Sequence, residues 1–218
     1  MPHRHLLGGL LLMSISVLTG EDAPGEKPNA DKFFSEGVRL FFDAQPAASA
    51  TAFDKVIELA PGAAPQLWQR GLSLYYAGRF ADGRAQFELH QTVNGNDVEN
   101  AAWHFICVVK TDGLAAARKA FIPIAGDARI PMREIHALYA GTGTAEAVLR
   151  AADADGQPTE AERDQLCYAH LYLGLYYEAA GDAALARTHM RRAAIDYRMD
   201  HYMGKVAQVH VKLRGWQD

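Results

Sequence analysis

The sequence predicts an all-α protein built from about four stacked helical hairpins, a helical-hairpin solenoid that ends in a capping helix. The first observation is apolar periodicity at helical spacing in paired segments of about 12–15 residues, each pair joined by a tight break. The second is internal similarity at a shift of 34 residues, which places Gly37 on Gly71 and aligns Phe53, Phe87 and Phe121. A third is that the chain has 218 residues, enough for one compact domain or one short repeat array.

The first thirty residues differ in character from the rest. Arg4 is followed by an apolar run of 13 residues, Leu6 to Leu18. A secretory signal needs about 7–15 apolar residues, whereas a membrane-spanning helix needs about 20. We therefore predict a signal peptide over residues 1–20, cut after Gly20 or Ala23, and a Pro/Gly-rich linker over residues 21–30. An uncleaved anchor is the alternative; with cleavage, no membrane span is expected and the protein is exported, either periplasmic or secreted.

Composition narrows the classes of partner. The net charge is −4, and hydrophobic residues make up 49% of the chain, close to the average of globular proteins. No basic cluster is present, so the sequence disfavours binding to nucleic acid or to a membrane surface. Cys107 and Cys167 both lie in apolar helical segments, and the sequence leaves open whether they pair.

Each predicted unit places a small residue where its two helices cross. Gly37, Gly71 and Gly174 occupy this position on the first helices, and a large side chain such as Phe53 or Phe87 fills the space from the second. No unit can bury its apolar face alone, so neighbouring units must stack, over residues 31–199.

The register is irregular between residues 126 and 164. Pro131 is expected to open one short helix, and "TAEAVLRAADA" predicts a second. Thr159 with Glu162 three residues later predicts a capping box at the start of the next helix. Residues 200–218 are predicted to form the capping helix that covers the last apolar face.

These units resemble the tetratricopeptide repeat family, whose pattern is W-x2-L-G-x2-Y…A-x3-F…P. The matching positions of the clearest unit are His170, Leu173, Gly174, Tyr177, Ala186 and Met190, with His in place of Trp and Met in place of Phe. Earlier units match at Gly37, Leu40, Phe53 and Pro61, at Gly71, Leu74 and Phe87, and, in a degenerate third unit, at Ala117 and Phe121. The resemblance implies a helical superhelix that binds proteins or peptides. In this the chain is similar to exported bacterial adaptors of that family.

Motifs that carry catalysis are missing from the sequence. There is no G-x-S-x-G elbow, no Cys-His signature and no phosphate-binding glycine loop with its lysine. The apolar neighbours of Cys107 are expected to raise, not lower, its pKa. We therefore predict a non-enzymatic protein with no catalytic residue and no cofactor.

Histidines provide the basis for an alternative hypothesis. Outside the leader they are His90, His104, His136, His170, His189, His201 and His210. None has the tight spacing of a zinc site, and the best local pair, His104 with Cys107, offers only two ligands, so no metal site is predicted. The alternative is a metal or small-ligand protein in which His136, His170 and His201 converge in space.

A stripe of apolar residues on the first helices is the predicted partner site. It follows i, i+4, i+7 spacing and consists of Phe34, Val38, Phe41, Trp68, Leu72, Tyr75, Ile106 and Val109. Stacked stripes would form an aromatic concave groove that suits a peptide or a helix. One of Tyr75 and Tyr76 is expected to pack between helices and the other to face this groove.

Several questions about the groove stay open at this stage. The chain's own C-terminal helix or tight curvature could fill it, which would make the protein a purely structural subunit. Lys110 is the only cation expected near the stripe, so capture of a C-terminal carboxylate is disfavoured. The predicted partner is therefore a protein or peptide of unknown identity, and homo-oligomerisation is left open.

Overall fold

A computed structural model describes residues 29–153 and 158–218. The predicted leader at residues 1–20 and most of the predicted linker lie outside these residues. In chain order the helices are α1 (Ala30–Phe42), α2 (Pro46–Leu59), α3 (Trp68–Tyr76), α4 (Phe80–Gln91), α5 (Val98–Asp112), α6 (Leu114–Lys119), α7 (Met132–Ala140), α8 (Ala145–Ala152), α9 (Glu160–Ala180), α10 (Ala183–Arg191) and α11 (Tyr202–Arg214). A 3-10 helix, Pro61–Gln66, precedes α3, and a π-helical turn, Arg192–Asp196, follows α10.

Helices pack against one another in the order of the sequence. The pairs α1/α2, α3/α4, α5/α6, α7/α8 and α9/α10 are each in contact, and neighbouring pairs also touch, as α2 does with α3 and α4 with α5. The described residues contain no β-strand. The predicted all-α class is therefore confirmed, with helix-on-helix packing along the chain.

Close approach at glycine joins the two helices of three pairs. A Cβ added at Gly37 would lie 2.9 Å from the ring of Phe53, and one at Gly71 would lie 2.5 Å from that of Phe87. At Gly174 the added atom would lie 2.9 Å from Met190 Cε. Since such distances are shorter than any ordinary carbon contact, the large side chain of the second helix occupies the space that glycine leaves. The predicted packing of these units is confirmed.

The third unit uses a different contact. Phe105 stands where the other units have glycine, and it meets Phe121 edge to face, with the ring centroids 5.6 Å apart. Phe121 lies beyond the end of the short helix α6, in an irregular segment that continues to Pro131. A large ring stands at the crossing in place of glycine, and its partner Phe121 reaches it from the irregular segment and not from a second helix.

Helix starts agree with the local chemistry of the sequence. α7 begins directly after Pro131, and α8 covers the segment predicted to form a second short helix. At α9 the Thr159 hydroxyl accepts from the Glu162 N–H while the Glu162 carboxylate accepts from the Thr159 N–H. This confirms the predicted capping box.

The C-terminal helix contacts both the last helices and the first. Residues 200–218 are predicted to cover the last apolar face, with the groove as the alternative position of this helix, and α11 contacts α9, α10 and the π-helical turn and also α1. Lys212 Nζ donates to the carbonyl oxygen of Asp43, just past the end of α1. The buried residues of α11 occur on more than one face of this helix, and they include Met203, Val206 and Val209. α11 therefore connects the last helices of the array to the first.

The core consists of two apolar clusters of unequal size. The larger runs from α1 to α11 and includes Phe41, Trp103 and Tyr172. The smaller, around Phe53 and Val56, belongs to the first hairpin and the segment that follows it. The first hairpin therefore has a small core of its own as well as a contact with the main one.

The described residues bear on the membrane span and on the open question of the two cysteines. Within residues 29–153 and 158–218, no helix combines the length and the apolarity needed to cross a bilayer. Cys107 and Cys167 are both buried free thiols, so the question of their pairing is answered in the negative for this structure.

A substitution at the tightest glycine tests the packing. Gly71→Ala should lower the free energy of unfolding by about 2 kcal/mol, because the new methyl group overlaps the Phe87 ring. Gly62→Ala is the matched control, since nothing lies within 4 Å of its added Cβ. Urea denaturation followed by circular dichroism measures both. A smaller side chain in the double variant Gly71→Ala, Phe87→Leu should recover part of the loss; equal stability of the Gly71 and Gly62 variants would contradict this account.

Candidate partner-binding surface

Four of the eight residues of the predicted stripe are buried, and the other four are half-buried. Phe41, Leu72, Tyr75 and Ile106 are at most 1% exposed and belong to the main core. The remaining four, Phe34, Val38, Trp68 and Val109, are half-buried. The prediction of an open groove therefore needs correction for the first four, whose side chains are packed against neighbouring helices.

Tyr202 at the start of α11 covers one end of the stripe. Its ring centroid lies 4.7 Å from those of Phe42 and Trp68 and 6.3 Å from that of Phe41. The ammonium group of Lys205 lies 5.7 Å from the centre of the Phe42 ring, within cation–π range. α11 thus occupies part of the predicted groove, which the sequence left open to a peptide or to the chain's own C-terminal helix.

An aromatic surface remains accessible beside α11. Phe34, Val38 and Phe42 follow i, i+4, i+8 spacing on one face of α1, and each is half-buried. Trp68 and Tyr202 extend this face at its far end, and both are half-buried as well. We refer to these five side chains as the aromatic surface.

A buried polar chain holds α11 in place at the centre of the molecule. Tyr76 Oη lies 2.9 Å from His210 Nδ1, and His210 Nε2 lies 3.2 Å from Glu178 Oε2, although the latter pair is not aligned for a hydrogen bond. Arg214 Nε donates to Glu178 Oε1 at 2.7 Å. These four residues come from α3, α9 and α11, so one polar chain fixes three helices relative to one another.

The charges of these four polar residues follow from their burial. Loss of water lowers the pKa of His210 well below its ordinary value, and the positive charges of Arg214 and Lys110 lower it further. Burial also disfavours the charge on Arg214, but the Glu178 carboxylate outweighs it and raises the pKa of the guanidinium. His210 is therefore neutral at pH 7, while Glu178 and Arg214 form an ion pair.

The two adjacent tyrosines have separate roles. Tyr75 is buried against Phe80 and Trp103, at centroid distances of 5.6 Å for both, and its burial raises the pKa of the phenol. Tyr76 is half-buried and contacts His210 of the polar chain. Burial raises the pKa of Tyr76 too, so neither phenol ionises near neutral pH.

A second ionic cluster lies where the irregular segment meets α5. The guanidinium of Arg129 pairs with Asp97 at 2.8 Å, with Asp127 at 2.6 Å and with Glu99. Tyr172 on α9 donates to Glu99 Oε2 at 2.6 Å. Burial raises the pKa of Glu99 to about 7, although Arg129 acts in the opposite direction. One arginine thus attaches the irregular segment to α5 and, through Glu99, to α9.

The histidines of the alternative hypothesis do not come together. His136 Nε2 lies 3.1 Å from the carbonyl oxygen of Ile122, and His201 Nδ1 lies 3.2 Å from Tyr168 Oη. His170 Nδ1 instead lies 2.8 Å from His189 Nδ1. Among the described residues, no three His, Cys, Asp or Glu side chains form a group that could hold a metal ion.

The pair of His170 and His189 is a packed interior contact. The His170 ring stacks on Tyr197 and the His189 ring on Tyr177, at centroid distances of 5.3 and 5.5 Å. Burial, together with the positive charges of His189 and Arg192, lowers the pKa of His170 to about 3. A hydrogen bond between two ring nitrogens needs one unprotonated acceptor, so this contact requires at least one neutral ring.

The buried thiols have the character of core residues. Burial raises the pKa of Cys107, and it raises that of Cys167 to about 12. Cys167 Sγ lies 3.5 Å from the carbonyl oxygen of Ala193. A thiol that stays protonated in the core is a poor nucleophile, as the sequence predicted for Cys107.

Sequence reasoning missed the two ionic clusters. Glu178 lies more than thirty residues before His210 and Arg214, and Arg129 lies a similar distance after Asp97. No local motif links residues so far apart. The one available signal was that His210 and Arg214 stand four residues apart, on the same face of a helix.

Comparison with known proteins adds no family assignment. No protein-family model matches the chain, and a search of curated protein sequences finds no match either. Any statement about function therefore rests on the residues and contacts described above.

Removal of the buried arginine tests the polar chain. Arg214→Ala should lower the free energy of unfolding by about 3 kcal/mol, because the largely buried Glu178 carboxylate loses its cation. Arg133→Ala is the matched control: this side chain is 88% exposed, and the loss of its ion pair with Glu134 should change stability by less than about 0.5 kcal/mol. Urea denaturation measures both, and the double variant Arg214→Ala, Glu178→Gln should be more stable than Arg214→Ala alone. Equal stability of the two single variants would show that Glu178 does not need Arg214.

A pH series tests the buried histidine pair. Because the pKa of folded His170 lies below its ordinary value of 6.5, the unfolded chain binds more protons below that pH, and acid favours unfolding. Between pH 7 and pH 5 this residue should remove about 2 kcal/mol of stability. Glu99 acts with the opposite sign, since its raised pKa stabilises the fold as the pH falls, so the comparison must be made between variants. His170→Phe should lose less stability than the wild type over this range in urea denaturation; parallel pH profiles would contradict the prediction.

Proposed function

We propose that this chain is a non-enzymatic scaffold, similar to tetratricopeptide repeat proteins, that binds a segment of a partner protein. The observation that carries this proposal is the aromatic surface, in which the half-buried side chains of Phe34, Phe42, Trp68 and Tyr202 lie around one face of α1. Aromatic residues that keep part of their surface in water contribute strongly to protein interfaces.

The position of α11 bears on where the proposed partner packs. A segment bound along the whole predicted stripe would have to displace α11, whose buried residues and polar chain stabilise the fold. A segment bound beside α11 needs no such displacement, since Phe34 and Val38 keep exposed surface. We therefore propose that the partner packs along α1 and against Trp68 and Tyr202.

The glycine-centred helix pairs support the comparison with tetratricopeptide repeats. Gly37, Gly71 and Gly174 stand at the small position of that family's motif, and each meets the large residue of the following helix. The family is rich in protein-binding scaffolds, and the exported members implied by the resemblance act as adaptors. The apolar run of residues 6–18 supports a location outside the cytoplasm for this chain as well.

A purely structural role is the second candidate. The burial of Phe41, Leu72, Tyr75 and Ile106, together with the contacts of α11 to α1, favours it, because the predicted groove is largely filled by the chain itself. In that case the aromatic surface would be no more than the edge of the core. The two candidates differ in whether the loss of Phe34 and Trp68 changes binding or only stability.

A capture experiment separates the two candidates. The wild-type chain and a Phe34→Ala, Trp68→Ala variant are used as baits in an envelope extract, and recovered proteins are quantified by mass spectrometry. The scaffold proposal predicts a partner that the variant loses, with an affinity lower by about thirtyfold when binding is measured with the purified partner.

The matched control is a Leu59→Ala, Leu185→Ala variant. Both of these side chains are apolar and more than a third exposed, and neither belongs to the aromatic surface. It should recover the same partner as the wild type. All three proteins are first checked for equal helicity and unfolding midpoint. Recovery of the same proteins by all three would overturn the proposal and leave the structural role.

A further inference from the structure

The turn between α4 and α5 contains the only Asn-Gly pair of the chain, Asn94–Gly95. Both residues are exposed and lie outside the helices. Two bonds close the turn: the Asn94 N–H donates to the carbonyl oxygen of His90, and Gln91 Nε2 donates to that of Gly95 at 2.9 Å. Asparagine is a labile residue, and a following glycine leaves its side chain open to attack because no Cβ shields the glycine nitrogen.

The side-chain amide of Asn94 has a defined orientation. The carboxylate of Asp97 only accepts hydrogen bonds, so the group 3.0 Å from Asp97 Oδ2 is the amide nitrogen of Asn94. On its other side this nitrogen lies 3.4 Å from His90 Nε2. His90 Nδ1 donates to the carbonyl oxygen of Pro65 at 2.7 Å, which leaves Nε2 of the neutral ring as an acceptor. The amide of Asn94 therefore faces two acceptors, one at the end of α4 and one at the start of α5.

The backbone nitrogen of Gly95 is accessible. Within residues 29–153 and 158–218, no hydrogen bond occupies its N–H group. The nearest atom to a Cβ built on Gly95 is the Gln91 carbonyl oxygen, at 3.8 Å, so the space around it is open. Asn100 differs, since it is buried in α5 and the N–H of the next residue, Ala101, donates to the Asp97 carbonyl oxygen at 3.3 Å. Exposure and an unoccupied neighbouring nitrogen thus coincide at Asn94.

We propose that Asn94 undergoes spontaneous deamidation through its glycine neighbour. The Gly95 nitrogen attacks Cγ of Asn94, a C–N bond closes a succinimide ring, and the bond from Cγ to Nδ2 breaks. Ammonia leaves with the proton that the Gly95 nitrogen gives up. Water then opens the ring, at the side-chain carbonyl to give aspartate or at the main-chain carbonyl to give isoaspartate. One water is consumed and one ammonia is released, and no oxidant or reductant is needed.

The product weakens the junction of α4 and α5 because an acceptor replaces a donor. The new carboxylate faces Asp97 and the lone pair of His90 Nε2, so both bonds of the amide are lost. Asp97 Oδ1 also caps α5, accepting from the Glu99 N–H at 3.0 Å, and it accepts from Arg129 at 2.8 Å. Arg129 already pairs with three carboxylates, so a fourth one adds repulsion without a new cation. None of these residues belongs to the aromatic surface, and the proposal is independent of the scaffold function.

Peptide mass spectrometry tests the reaction. The full chain is incubated in mildly alkaline buffer and digested, and fragment ions report the gain in mass at each asparagine as an amide becomes a carboxylate. Asn94 should convert severalfold faster than Asn96 or Asn100. Gly95→Ala should slow the conversion severalfold, because the added Cβ shields the nitrogen at a position that is open and has no positive φ.

Two results would overturn the proposed reaction. One is an equal rate at Asn94, Asn96 and Asn100 in the folded chain. The other is conversion of Asn94 only after the chain has been unfolded in urea, which would show that the bonds to Asp97 and His90 keep the amide from reacting.

Urea denaturation tests the consequence for the fold. Asn94→Asp reproduces the aspartate product and should lower the midpoint of unfolding. Asn96→Asp is the matched control, since it adds the same charge at an exposed neighbour whose side chain has no hydrogen bond in the described part of the chain, and it should lower the midpoint less. Mildly alkaline buffer keeps histidine neutral, so that His90 cannot pair with the new carboxylate. An unchanged midpoint in Asn94→Asp, or an equal loss in both variants, would refute the proposed weakening of the junction.

Discussion

A carboxylate buried among helices requires a cation at a fixed distance, and Glu178 imposes this requirement on the fold. Its pairing with Arg214, together with the contact of His210 to Tyr76, sets both the position and the rotation of α11. Without a cation the buried charge would cost several kcal/mol. This pairing thus explains why α11 packs against α9 and α3 and does not simply follow the last helical pair.

The position of α11 in turn determines which apolar residues keep exposed surface. Tyr202 covers Phe41 and leaves the outer edges of Phe42 and Trp68 in water. The surface that remains is smaller than an open groove but richer in aromatic side chains at one place. The proposed scaffold would recognise a short segment of its partner.

Local chemistry allowed much of the fold to be predicted from the sequence. Three local features were visible in the sequence: glycine at the helix crossing, Phe53 or Phe87 opposite it, and the capping box at Thr159. Each involves residues that lie within a few positions or one repeat of one another. The stripe on the first helices was also visible, but its burial was not. Whether Phe41 meets water or Tyr202 of α11 depends on packing between residues more than a hundred positions apart, and the periodicity of the sequence carries no information on such packing. The clusters around Glu178 and Arg129 were missed for the same reason. Charged residues that meet only after folding show no characteristic spacing in the sequence.

The bond between Lys212 and Asp43 spans 169 residues of sequence, whereas the helix pairs form between near neighbours. Contacts at such separation form late, because a long loop must close before they contribute any stability. During synthesis the helical pairs can form one after another as the chain emerges, but the apolar side of α1 and α3 has no cover until α11 has been made. The newly made protein therefore passes through a stage in which Phe41 and its neighbours are exposed to water and to other chains. Binding by a chaperone at that stage would protect the same side that α11 later covers.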